Sequence, residues 1–328
     1  MKIAPCIFFI LSTAKSIAQC CSPGNPAGGI GTQGVMEKNE GKISFFYKAG
    51  YSDTYFGGSI GGAKPVGYDP SWIPAVKNAN YNFAGINFRF GITNRLTVEN
   101  DIGYFINKTQ NYNSGIIPEQ LKGYGLTDLA LQMKFLIIKK REWEITPAAG
   151  IKIPVGPTEQ KGKDGTIIPI DLQPTTGAFA YTVGLLIYKG FPHKHFRFFL
   201  EGKIESPQLT KVTSIDYRYG NSYFTSFIAT YSFAAKWIAI VQVRNENRDR
   251  DIKYENPARV IYSTGSHKIF LVPQINYSLG NDWNILFLAD IPVYQYYYGK
   301  QLGTKFAFGI SVSKKISIKQ KSETNQNN

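Results

Sequence analysis

The residues best equipped for chemistry are few. His193 and His195 have the spacing of two metal ligands on one face of a strand end. His267 stands near Ser263 and Ser266, the pairing of base and hydroxyl that a hydrolase needs. Gly29-Ile30-Gly31-Thr32-Gln33-Gly34 spells the G-x-G-x-x-G pattern that cradles a dinucleotide pyrophosphate. None of these builds a site on sequence grounds. The first two histidines sit on a short connection between strands, His267 lacks an evident acidic partner, and the glycines follow no strand and open no helix. The reading is therefore no enzyme, no cofactor and no metal.

A second set of reactive groups recurs with period two inside apolar segments. Lys48, Arg89, Lys134, Lys152, Arg197, Lys203, Arg244 and Arg248 oppose Glu99, Asp101, Asp128, Glu144, Glu201, Glu205, Glu246 and Asp290. Each lies on the face opposite the greasy one. An unpaired charge buried in an apolar core costs several kcal/mol or is neutralised. These residues thus mark a wet face, and their near balance points to a polar, ion-paired lumen rather than a ring of one sign.

The elements that carry them are strands. In Lys305-Phe306-Ala307-Phe308-Gly309-Ile310-Ser311-Val312-Ser313, Phe306, Phe308, Ile310 and Val312 share one face, and the small or polar residues share the other. The same alternation appears at about 43–51, 80–90, 96–107, 124–138, 142–153, 177–188, 196–205, 223–233, 237–247, 268–279 and 283–294, which makes about twelve strands. Short turns such as Gly91-Ile92-Thr93-Asn94 and Gly280-Asn281-Asp282 alternate with long Gly/Pro-rich loops. That sorting of loops, with Trp143, Trp237, Trp283 and the Tyr294 to Tyr298 cluster at strand ends, is the pattern of an all-β, transmembrane, antiparallel up-and-down β-barrel. Trp72, Tyr217, Tyr219 and Tyr296 to Tyr298 fall in or near the outer loops, where they are expected to make first contact with a permeant.

The N-terminus agrees. Lys2, the apolar run from Ile3 to Leu11 and Ser16-Ile17-Ala18 read as a secretory signal peptide over 1–18, cleaved before Gln19. A Gly/Pro-rich periplasmic leader (19–41), a barrel (42–316) and a polar tail (317–328) follow. Cys20 and Cys21 are adjacent and would close only a very small strained ring, so they staple nothing. Gln19 is a poor residue immediately before a lipidated cysteine, so ordinary cleavage is the expectation and lipidation of Cys20 the alternative. No stretch beyond the signal is long and apolar enough for a helical span, so any insertion uses strands. The formal net charge of +14 includes Lys2 and Lys15 of the signal and several lysines of the tail. Export, and a tail without aromatics among its lysines, argue against nucleic acid.

Several stretches carry a resemblance. Gly123-Tyr124-Gly125-Leu126-Thr127-Asp128-Leu129, Gly150-Ile151-Lys152-Ile153-Pro154-Val155-Gly156, Leu172-Gln173-Pro174-Thr175-Thr176-Gly177 and Pro292-Val293-Tyr294-Gln295-Tyr296 resemble the MetA-pathway-of-phenol-degradation family of outer-membrane transporters. The leader and Ser52-Asp53-Thr54-Tyr55 resemble Bacteroidetes-type members. The resemblance implies a barrel that passes small molecules, hydrophobic or aromatic ones included.

The expectation is a single barrel in the Gram-negative outer membrane acting as a passive channel. Its partners would be outer-membrane lipid, a small permeant, and the barrel-assembly machinery through the C-terminal strand 305–313. The alternatives are a non-transporting structural or adhesive barrel, and a soluble secreted β-sandwich.

Overall fold

The computed structural model describes residues 34–59, 62–65, 76–112, 119–212, 215–254 and 257–317. The signal peptide, Cys20 and Cys21, the first five residues of the glycine motif, Trp72 and the tail from 318 lie outside the described residues.

Twelve long antiparallel strands close on themselves. They are β1 (Glu40–Ser52), β2 (Val76–Gly91), β3 (Leu96–Tyr112), β4 (Asp128–Phe135), β5 (Trp143–Pro154) and β6 (Ala180–Phe191). The second half comprises β7 (Phe196–Pro207), β8 (Ser222–Ala234), β9 (Trp237–Arg248), β10 (Ser266–Gly280), β11 (Trp283–Tyr297) and β12 (Phe306–Ser317). Each pairs with its sequence neighbours, and β12 returns to β1 with Glu40 opposite Ser317 and Tyr51 opposite Phe306. Closure leaves the long strands no free edge, which removes the hazard that a flat open sheet of this size would carry.

Period-two alternation gives the wall two unlike faces. Val183, Met133 and Phe308 are about 60% exposed, at 61%, 59% and 57%, whereas Lys48, Arg89 and Asp290 are 2–3% exposed. In a water-soluble sandwich these exposures would be reversed. Apolar residues outside and charged residues inside fit a wall that meets lipid.

Short turns lie at one end of the barrel and long loops at the other. At the β10–β11 turn Asn281 and Asp282 both take positive φ (48° and 66°), as a type I′ hairpin turn requires. The long-loop end carries strands that alternation did not reveal. Thr54–Ser59, Gly62–Pro65 and Gly299–Gly303 form one small sheet, and Thr210–Val212, Ile215–Arg218, Ile252–Tyr254 and Arg259–Val260 form another.

The fourth expected strand, 124–138, is not continuous. It is broken into Gln120–Leu126, β4 and Ile138–Lys140. At the first break the Thr127 N–H bonds the Gly103 carbonyl at 2.9 Å, and at the second Leu136 is buried while its N–H bonds the Arg95 carbonyl. These local bonds replace the regular ladder and change the direction of the chain.

Candidate functional site

The lumen is built around three ion-pair networks, each spanning several strands. In the first, Asp290 of β11 meets Lys48 of β1 (2.5 Å) and Arg244 of β9 (3.0 Å). Arg244 also holds Glu246 (2.8 Å), which pairs with Lys268 of β10 (3.1 Å). In the second, Glu99 of β3 accepts from Arg89 of β2 (2.9 Å) and pairs with Lys134 of β4 (2.6 Å), while Asn87 donates to both Glu99 and Asp101. In the third, Lys152 of β5 sits between Glu205 of β7 (2.7 Å) and Asp128 of β4 (3.7 Å), with Lys203 at the rim of the pair. Ionised groups this poorly exposed persist because Asp290, Glu246, Glu99, Glu205 and Asp128 each lie within ion-pair distance of at least one cation.

Between the second and third networks lies a cavity of about 290 Å³. Among the described residues its charged lining comprises seven cations and seven carboxylates: Arg89, Lys108, Lys134, Lys152, Lys203, Arg248 and Lys268 against Glu99, Asp101, Asp128, Asp171, Glu201, Glu205 and Glu246. Neither sign is in excess among these described residues.

Aromatic rings line the same space. Phe46, Phe83 and Phe105 follow one another along β1, β2 and β3, with ring centroids 5.7 and 4.9 Å apart. Cations lie over several inward rings: Lys108 is 4.9 Å from Phe105, Lys203 is 4.8 Å from Phe224, and Arg244 is 4.8 Å from Phe270. Nearer the short-turn end, on the opposite wall, Leu186, Phe199, Ile228, Ile240 and Leu286 pack into an apolar cluster inside the barrel. Alternation alone did not assign these inward aromatic and aliphatic residues. The signal for them is local: Leu185-Leu186-Ile187, Ile238-Ala239-Ile240-Val241 and Ile285-Leu286-Phe287-Leu288 are apolar at consecutive positions, so both faces must be greasy there.

Both ends of the lumen are crossed by chain. At the long-loop end, part of the β5–β6 loop (155–179) turns inward, so that Asp171, Gln173, Pro174, Thr175 and Thr176 line the cavity and Ile168 and Leu172 are buried. Thr175 and Thr176 donate to Asp128, Lys108 donates to the Gln173 carbonyl (3.1 Å), and Gln110 donates to Asp171. At the short-turn end, residues 34–39 lie across the mouth. The Met36 N–H bonds Thr97 Oγ1 (2.7 Å), the Lys38 N–H bonds Asn94 Oδ1 (2.9 Å), and Gly34 lies against Glu144 and Thr146 of β5.

Eleven of the sixteen residues singled out in the sequence line the cavity: Arg89, Glu99, Asp101, Asp128, Lys134, Lys152, Glu201, Lys203, Glu205, Glu246 and Arg248. Lys48, Arg244 and Asp290 form the buried network beside it. Glu144 lies near the short-turn end beside Lys139, at 3.0 Å, and Arg197 is exposed one residue into β7.

The outer tyrosines are not displayed as the sequence led us to expect. Tyr217, Tyr219, Tyr297 and Tyr298 are buried. Tyr217 donates to Asp251 (2.6 Å) and packs edge-on against Tyr219, over which Arg248 lies at 5.6 Å. Burial, and then the adjacent Asp251 carboxylate, hold the Tyr217 phenol well above its ordinary pKa. These rings build the wall of the mouth.

His193 lies in a 3₁₀ turn (Pro192–Lys194), and His195 follows it with φ 56°, so the two do not share a strand face. Ser266 lines the cavity, whereas His267 lies edge-on to Tyr294 at 5.3 Å. Neighbours in a strand face opposite ways, and serine and histidine therefore do not converge. Among the described residues no three His, Cys, Asp or Glu side chains are grouped to hold a metal.

A closed antiparallel barrel, apolar outside and charged inside, is the architecture of bacterial outer-membrane β-barrels. The COG4313 outer membrane channel from Pseudomonas putida F1 is similar in structure, with a TM-score of 0.65 at 9% identity over 90% of this chain and 100% of that one. The beta domain of the Bordetella autotransporter BrkA has a TM-score of 0.47 at 8% identity, covering 85% of this chain and 100% of that one. A TodX monoaromatic hydrocarbon channel mutant reaches 0.42 at 10% identity, over 85% and 91%. The first likeness shows the fold; the other two, at that level of superposition, add nothing to it. No protein-family profile matches the chain, and no curated protein matches it in sequence.

Proposed function

We propose that the protein is a passive outer-membrane channel for small molecules, with its short turns in the periplasm and its long loops outside. The observation that carries this reading is the cavity of about 290 Å³, lined by balanced charges and by Phe46, Phe83 and Phe105, inside a closed wall whose outer face is apolar. The path runs from the tyrosine-walled mouth past Asp128 and Lys152 to Glu99 and Arg89, and leaves beside residues 34–39. Rings beside the path suit small apolar or aromatic solutes, in keeping with the resemblance to the phenol-degradation transporters. Export by the N-terminal signal and insertion by the barrel-assembly machinery through the last strand complete the proposal.

Liposome swelling with purified protein, using neutral, acidic and aromatic solutes of graded size, tests it. Entry of small solutes with little preference for charge sign is expected. Vesicles that stay sealed at high protein density would refute transport. They would favour a structural barrel, a reading supported by the chain that crosses both mouths.

A further inference from the structure

Two outward-facing lysines stand beside tryptophans at the short-turn end. Trp143 of β5 and Lys189 of β6 are cross-strand partners, and the ammonium lies 5.2 Å from the indole and 5.1 Å from the Phe191 ring. Trp283 of β11 and Lys314 of β12 repeat the arrangement at 5.0 Å. Along β6 and β12 these lysines continue the lipid-facing rows of Tyr181, Val183 and Leu185 and of Phe306, Phe308 and Ile310.

A cation on that face is strongly unfavourable at the membrane midplane and nearly neutral at the interface. Indoles favour the same interfacial depth. Each lysine is thus held at headgroup level by the ring beneath it. Charge at this rim is in excess. Lys189 itself pairs with Glu142 at 3.2 Å and Lys139 pairs with Glu144 at 3.0 Å, and Lys140 and Arg141 of the β4–β5 turn and Lys194 of the β6–β7 turn add three further cations beside these pairs. Among the described residues Lys314 has no carboxylate within ion-pair distance.

We propose that Trp143–Lys189 and Trp283–Lys314 are two binding stations for acidic phospholipid headgroups of the periplasmic leaflet. The inference rests on the membrane orientation proposed above. The third rim tryptophan, Trp237, lies tilted at 4.5 Å from Tyr277, and once Lys236, which precedes it in the chain, is replaced by glutamine it provides an internal control.

The test uses the mature full chain in vesicles and reads tryptophan quenching by brominated phosphatidylglycerol against brominated phosphatidylethanolamine. Variants retaining only Trp143, Trp237 or Trp283 separate the sites. At Trp143 and Trp283 the acidic lipid should be preferred about fivefold, the scale of one lysine at a membrane surface. At Trp237 in the Lys236→Gln background no preference is expected. Lys189→Gln and Lys314→Gln should each abolish the preference at their own station alone. Equal quenching by both lipids at all three tryptophans, or a preference that survives both substitutions, overturns the proposal. If a glutamine variant fails to fold, loss of the wild-type preference in high salt replaces it as the readout, and a salt-independent preference overturns the proposal. Quenching without any preference leaves the channel reading intact, whereas sealed vesicles in the swelling assay leave the lipid result intact.

Discussion

Phe46 on β1 lies directly opposite Gly85 on β2, and its ring fills the place where a side chain on Gly85 would begin. A Cβ there would stand 2.3 Å from Phe46 Cζ and 2.8 Å from the Ile102 carbonyl oxygen. The ring lies flat along the wall because the residue beside it has no side chain. Gly85→Val should therefore drive the ring into the lumen and destabilise the barrel by about 1–3 kcal/mol, the usual cost of overpacking. A lower urea midpoint in detergent together with slower solute swelling checks this; Phe46→Ala in the same background should restore the rate.

Asp290 anchors Lys48 and Arg244 at once. In Asp290→Asn two poorly exposed cations lose their shared carboxylate, at a cost of about 3–5 kcal/mol for a broken buried pair. The lumen then also carries one uncompensated positive charge. The reversal potential of the channel in a salt gradient should shift toward anion selectivity, and the unfolding midpoint should fall.

Asp128 receives the hydroxyls of Thr175 and Thr176 and so ties the inward limb of the β5–β6 loop to the wall. Asp128→Ala releases that tie. Larger solutes should then enter liposomes faster, with the size cutoff raised. An unchanged cutoff would mean that the limb does not set the bore.

At the opposite mouth, Thr97 Oγ1 holds the Met36 N–H, and the Glu37 carbonyl packs so closely on Gly91 that a Cβ there would stand 2.0 Å away. Thr97→Val and Gly91→Ala should each loosen or displace residues 34–39. The expected readout is faster protease nicking before β1 and higher single-channel conductance.

The two faces of β6 predict opposite tolerance. Val183 points to lipid and Thr182, its neighbour, points into the cavity. Val183→Lys should cost about 2–4 kcal/mol if it lies near the midplane. Thr182→Lys should be milder, since it meets water and carboxylates. Heat-modified mobility on gels compares the two directly.

Much of this was legible in the sequence because alternation is a local property. Phe306, Phe308 and Ile310 declare their face within a few residues, as do Lys134 and Asp128. The rest depends on what distant parts of the chain place beside each residue. Phe46 and Phe83 look like any strand aromatics until Gly85 and Gly103 are placed beside them, and Leu186 or Ile240 breaks the inside-polar rule because nearby strands bring apolar partners to it. The inward limb at 168–178 carries no periodic signal. Its position is set by Lys108 and Asp128, residues remote in the chain.

The pairing of Glu40 with Ser317 joins the two extremes of the described wall. Until β12 docks, β1 has a bare edge and the greasy outer face has no cylinder to belong to. The seam can zip only once β12 is in place, so truncations of that strand should yield unfinished sheets rather than narrower pores.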